Sequence, residues 1–211
     1  MVVDHVGYLF FPEVWALRVV GRLAFPIFAF LIAEGYRRTS NPNAYLLRLI
    51  VFAVISEVPY DLFARNRLFY PGSQNIFFTL AAGLFSLMLY DKFMARRNEV
   101  GAMLGVFACC VFCVVIQASY MFSGVLLIFA FYVNRDWKHL VLWFGAIVLC
   151  NAALVALTER DLYWALIQTA QVFALPLIGY YNGRQGRRLK YFFYVFYPAH
   201  MLVLYTLRWV V

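Results

Sequence analysis

Seven residues able to do chemistry stand inside apolar runs. Asp4 and His5 lie in the first run, Arg22 in the second, Glu57 and Asp61 late in the third, Asn75 at the start of the fourth, and His200 in the last. Charge in hydrocarbon costs at least a few kcal/mol and marks a functional site by default. Histidine is the side chain whose ordinary pKa suits proton transfer near neutrality. Glu57 and Asp61 are four apart, so they share a helix face, bent by Pro59 between them. Two carboxylates there call for a cation or a shared proton. Arg22, an outer arginine or a substrate amine would supply the cation. His5, His200, Glu57 and Asp61 are metal-ligand types, but their spacing matches no metal motif, and no metal is predicted. Cys109, Cys110, Cys113 and Cys150 have no His or acidic neighbour in sequence and read as small buried hydrophobes.

The elements that carry these residues are membrane helices. Of 211 residues, 65% are hydrophobic and only 13% charged, with a mean hydropathy of +0.76. Soluble domains carry about 25% charged residues. The fold class is therefore all-α, a polytopic transmembrane bundle, and 1–211 reads as one domain because no polar stretch is long enough to fold alone. The net charge of +8 does not indicate nucleic-acid binding, since the basic residues sit in short loops between apolar runs.

The runs predict nine helices at about 1–12, 14–36, 43–64, 74–91, 100–117, 119–133, 138–157, 161–182 and 189–209. The break at Gln117–Ser119 is the least secure. The first run has eleven residues before Pro12, about half a span, and reads as a short or truncated helix. Arg37, Arg38, Lys92, Arg96, Arg97, Arg135, Lys138, Arg184, Arg187, Arg188 and Lys190 fall in alternate loops and hold eleven of eighteen basic residues. By the positive-inside rule those loops are cytoplasmic. Asp4, His5, Arg22, Glu57, Asp61, Gln74, Asn75 and His200 then all fall in the outer half of the membrane. Pro26, Pro59 and Pro198 interrupt helices at that level, as helices lining a cavity do. Glu34 and Arg48, near the inner ends of facing helices, are expected to pair. Gln168 and Gln171 are expected to bond between helices, and His139 to be exposed.

Several stretches resemble a known family. Asp4-His5, Gly21-Arg22-Leu23-Ala24-Phe25-Pro26, Glu34-Gly35, Ser56-Glu57-Val58-Pro59-Tyr60-Asp61, Gln74-Asn75-Ile76-Phe77-Phe78-Thr79 and Tyr197-Pro198-Ala199-His200 together resemble the TraX family of membrane proteins. The match is strong over about 1–90 and good over about 176–207. Family members usually carry further apolar residues before the Asp-His pair, which favours a truncated first helix here. The resemblance implies a multi-pass protein of the bacterial inner membrane, in contact with membrane lipid, that takes part in N-acetylation. The acceptor it implies is a pilin N-terminus of conjugative plasmids, and in this chain an acceptor peptide, small amine or hydroxyl reached from the outer side.

Such chains are also distantly similar to larger membrane acyltransferases that draw on cytoplasmic acyl-CoA. Acetyl-CoA is therefore expected as acyl donor, its phosphates near Arg37, Arg38, Arg48, Arg184, Arg187 and Arg188 and its thioester beside His5. His5, or else His200, is the expected general base, with a covalent acetyl-histidine intermediate as the alternative to direct transfer. Asp4 is expected to pair with Arg22 or with another helix, because adjacent helical residues do not face each other. Glu57 or Asp61 is expected to orient His5, and Arg22 or Asn75 to steady an oxyanion. The competing readings are a small secondary transporter or proton-coupled channel and a non-enzymatic assembly factor.

Overall fold

The computed structural model describes residues 1–158, 160–184 and 190–209. The described residues are all-α: α1 (Val2–Phe10), α2 (Trp15–Arg22), α3 (Ala24–Arg38), α4 (Pro42–Arg65), α5 (Ile76–Met94), α6 (Glu99–Val115), α7 (Met121–Val133), α8 (Trp137–Thr158), α9 (Leu162–Thr169), α10 (Ala174–Gly179) and α11 (Lys190–Leu207). With α2 and α3 joined, and α9 and α10 joined, these are the nine predicted segments. Local chemistry sets the starts. The side chains of Asn41, Asn75, Asn98 and Asp161 accept from backbone N–H groups at the first turns of α4, α5, α6 and α9, which satisfies donors no helix can satisfy internally.

Two predicted helices are interrupted, whereas α4 and α11 run unbroken through Pro59 and Pro198, contrary to expectation. The second pauses at Leu23, just before Pro26, which cannot donate to the Arg22 carbonyl. The eighth passes through a 3₁₀ turn at Ala170–Phe173 before α10. Pro176 removes the donor for Val172, and the turn ahead of it tightens. Gln171 Nε2 donates to the Gln168 carbonyl at 3.1 Å, so these glutamines bond within their own segment rather than between helices.

Trp15–Arg38, Ile76–Met94, Trp137–Thr158 and Leu162–Gly179 are long and apolar enough to cross a membrane. On α8 the side chains of Leu142, Trp143, Leu149 and Leu157 are exposed, an apolar surface too extensive for water. The chain is a membrane protein.

The chain divides into two compact units, Met1–Phe28 with Val141–Val211 and Ala29–Leu140. In the second unit, Cys109, Cys110 and Cys113 pack with Ala82, Val106 and Val125 in the core, as small hydrophobes. Cys150 on α8 is exposed rather than buried. The Gln117–Ser119 break is real: Gln117 and Tyr120 adopt positive φ, and the turn is fastened to the α4–α5 loop. Gln74 N–H donates to the Gln117 carbonyl at 3.1 Å, and Ser119 N–H to the Gln74 carbonyl at 3.0 Å. Thr79 Oγ1 donates to the Ser119 carbonyl. Loop charge assigns these two loops to one side, and the bonds between them agree.

The opposite ends of α3, α5 and α7 meet around Asp91, whose Oδ2 accepts from Tyr36 OH at 3.0 Å and Tyr132 OH at 2.7 Å. Arg37 donates to the Phe131 and Tyr132 carbonyls at 2.9 and 2.6 Å, filling acceptors that the last turn of α7 leaves open. Asp91→Ala should lower unfolding free energy by about 1.5–3 kcal/mol, the range for bonds to a charged group, with Asp91→Asn costing less. Denaturant titration in micelles, followed by far-UV circular dichroism, measures it.

Candidate active site

The first unit builds its polar site on the hairpin of α1 and α2. Arg18 and Arg22 are four apart, so one face of α2 carries both guanidiniums. Both reach Asp4 on α1: Arg18 Nη1 lies 2.9 Å from Oδ1 and Arg22 Nη2 lies 2.5 Å from Oδ2. Arg18 Nη1 also donates to the Asp4 carbonyl at 2.9 Å. Asp4 and Arg22 are each 8% exposed, so the pair is held in low dielectric, where geometry of this quality is required. Gly21 makes the approach possible, because a Cβ there would overlap the Asp4 side chain. Trp164, from α9, lies against both cations, with its ring centroid 4.9 Å from Arg18 Cζ and 5.2 Å from Arg22 Cζ, within cation–π range. Two guanidiniums on one carboxylate leave one net positive charge, one residue from His5.

His5 is joined to His200 on α11, with Nδ1 2.9 Å from Nε2. The rings are within 5° of parallel and their centroids are 5.1 Å apart. That spacing equals one N–H···N bond plus two ring radii, so the rings are coplanar and meet edge to edge. His200 Nδ1 lies 2.8 Å from the Phe196 carbonyl, one turn back. The Phe196 ring stacks on His200 at 5.2 Å and the Tyr197 ring meets it edge-on at 5.7 Å.

The second unit holds the remaining candidates. Asn75 is fully buried. Its Oδ1 accepts from Phe77 N–H at 3.0 Å, its Nδ2 donates to the Ala53 carbonyl at 2.7 Å, and Nδ2 also donates to Glu57 Oε2. Asp61 is fully buried too, and its Oδ2 accepts from Tyr70 N–H at 2.7 Å. Glu57 Oε1 and Asp61 Oδ1 are buried with no hydrogen-bond partner. Gln74 contributes its backbone to the loop bridge, and its side chain donates to the Pro71 carbonyl at 3.1 Å.

The structure thus pairs Asp4 with Arg22 as the sequence predicts, and it corrects four expectations. At His5 Nδ1 the orienting group is His200 rather than a carboxylate. Asn75 is a helix cap and a Glu57 ligand, with both ends of its amide engaged. Glu34 pairs with Arg37 at 3.5 Å and Arg38 at 2.5 Å on its own helix, where i+3 and i+4 neighbours are closest, and Arg48 instead lies 5.6 Å from the Tyr45 ring. Arg37, expected near donor phosphates, caps α7. Arg38 and Arg184 are exposed, and Arg187 and Arg188 lie outside the described residues.

His139 is exposed as expected. Its backbone N–H and ring, Nδ1 2.7 Å from Asp136 Oδ2, hold the Asp136 carboxyl below the usual carboxylate range. Arg18 and Trp164 were missed by the sequence reading. The spacing of Arg18 and Arg22 was the available signal for the first; nothing local marks the second.

Asn75→Ala removes a cap, typically worth about 1 kcal/mol, and strips Glu57 of a buried donor at about 1–3 kcal/mol. A net loss of roughly 2–4 kcal/mol is expected in micelle denaturation. Asn75→Asp keeps the cap but sets a carboxylate against Glu57, so it should not restore stability.

Three comparisons bear on identity. A relative from Dichelobacter nodosus, described as a probable fimbrial assembly protein FimC of serogroup H1, is 27% identical over 224 aligned positions, covering 97% of this chain and 89% of its own. An uncharacterized protein, RP591, from Rickettsia prowazekii (strain Madrid E) is 34% identical over 58 residues, covering 28% of this chain and 21% of its own. No solved structure matches significantly. The family model described as TraX protein matches residues 1–208, nearly the whole chain, and with the Asp-His and Gly-Arg pairs placed as above the chain belongs to the TraX family.

Proposed function

We propose that this protein is an acyltransferase of the bacterial inner membrane that moves an acetyl group from acetyl-CoA to an acceptor amine, with His5 as general base. What supports the reading most is the juxtaposition in the first unit: a hydrogen-bonded histidine pair beside a buried group of net positive charge. Family membership supports the broader reading, a membrane protein of pilus systems, as does a relative described as a probable fimbrial assembly protein. The acceptor class is a peptide N-terminus, as on a pilin, or a small amine.

In this reading His5 takes the proton from the attacking amine as its nitrogen bonds to the thioester carbonyl carbon. The carbonyl oxygen becomes an oxyanion, and the excess positive charge of Arg18 and Arg22 over Asp4 stabilises it, as preorganised donors do. The C–S bond then breaks, and His5 returns its proton to the departing thiolate. The products are the amide and the free thiol. Exposed Arg184, in the same unit as His5, is the described basic residue that would meet the donor's phosphates. Acetyl-CoA supplies the activated acyl group and nothing else.

A second reading has its own observation. Buried carboxylate oxygens without partners, at Glu57 and Asp61, also suit a proton- or cation-coupled carrier.

Purified protein in nanodiscs would be given [14C]acetyl-CoA and a peptide with a free N-terminal amine. Labelled peptide should form, and His5→Ala should slow it about a hundred- to ten-thousand-fold, the usual worth of a positioned base. Absence of acetyl-CoA binding would overturn the transferase reading. Unchanged turnover in His5→Ala would overturn the role of His5.

A further inference from the structure

The hydrogen bonds around the histidine pair leave little choice about where its protons are. A backbone carbonyl can only accept. His200 Nδ1 faces the Phe196 carbonyl at 2.8 Å, so Nδ1 carries a proton. A neutral imidazole has one protonated nitrogen, so His200 Nε2 carries the lone pair. That atom lies 2.9 Å from His5 Nδ1, so His5 Nδ1 must donate to it. By the same rule the lone pair of neutral His5 is on Nε2. A cationic ring would add charge beside a group already positive by one unit, so the neutral pair is the resting form.

We infer that His200 is a positioning residue that locks His5 in the Nδ1–H tautomer and makes His5 Nε2 the atom that takes the proton. The inference rests on His5 being the base. His200 fills the place that a carboxylate occupies behind the base of a hydrolase triad. Its own ring is fixed by Phe196 and Tyr197, stacked and edge-on, and by the carbonyl one turn back. When His5 Nε2 gains a proton, the bridging proton can pass from His5 Nδ1 to His200 Nε2. His5 is then neutral with Nε2–H, and His200 carries the charge with both nitrogens protonated. The relay ends there, because the Phe196 carbonyl cannot accept a covalent proton. A neutral imidazole behind the base attracts a proton less strongly than a carboxylate would, and it adds no negative charge to a site that must stabilise an oxyanion.

The sequence has three histidines, which makes the test practical. Ring 15N shifts and long-range couplings of [15N]histidine-labelled protein in micelles report tautomers directly, with no need for turnover. His139→Gln, at an exposed loop position, and His200→Gln assign the signals. The expected result is the Nδ1–H form at both His5 and His200, although imidazole in water favours Nε2–H. Replacing His200 with Ala should release His5 to the Nε2–H form.

An Nε2–H form of His5 in the unaltered protein, or a tautomer indifferent to His200→Ala, would overturn the inference whether or not the protein is a transferase. In the acetylation assay, His200→Ala should lower kcat roughly a hundredfold or more with KM for acetyl-CoA within about twofold. His200→Gln, whose amide oxygen can accept from His5 Nδ1–H, should recover part of the loss, and it stands in if His200→Ala does not fold. A wild-type kcat in both variants would remove the positioning role and leave the base assignment standing.

Discussion

The buried carboxylate of Asp4 is the constraint on which the first unit depends. A charge at that depth must be matched, and here two guanidiniums of α2 match it at 2.9 and 2.5 Å. The hairpin of α1 and α2 closes because Gly21 gives the carboxylate room. Once closed, it sets the register of α1, and the register places His5 one residue from the clamp and against His200. Removing one partner from such a group leaves an uncompensated buried charge, at a cost of about 3–5 kcal/mol. An apolar replacement of all three would avoid that cost, so the clamp is a poor device for stability alone. Its chemical merit is the leftover positive charge, fixed in low dielectric by packing against Trp164 and set beside a base.

The second unit solves the same problem differently. Glu57 and Asp61 have no cation within salt-bridge distance among the described residues and are held by N–H groups of Asn75 and Tyr70. One oxygen of each is buried and unpartnered. The two units thus carry polar groups of opposite character, a positive clamp with two imidazoles and a pair of carboxylates. The proposed transfer uses the first directly. Arg37, by contrast, is drawn out of the functional account: two carbonyls at the end of α7 engage its guanidinium.

Much of this was legible in the sequence. The nine apolar runs match the nine helical segments because hydrocarbon length and loop charge constrain membrane helices more tightly than propensity does. The pairing of Asp4 with Arg22 was legible because an unpaired buried charge is so costly. Two kinds of feature were not. The 3₁₀ turn at Ala170–Phe173 depends on how the chain accommodates Pro176, which a hydropathy pattern does not register. The partners of Glu34, Arg48, His5 and Asn75 depend on helix rotation, which spacing leaves open. Facing helices suggested Glu34 with Arg48, yet Arg37 and Arg38 are nearer on the same helix. Trp164 was invisible because an aromatic in an apolar helix has no local sign of the cations it covers.

The central claim is that the clamp at Asp4 serves chemistry as well as folding. Single-turnover acetyl transfer in Asp4→Asn, run beside a far-UV spectrum of the same preparation, tests it most directly. The account predicts a helical, folded protein whose transfer rate falls at least tenfold, since an uncharged amide holds the two guanidiniums too weakly to keep His5 in register. A folded Asp4→Asn protein that transfers acetyl groups at the wild-type rate would contradict it.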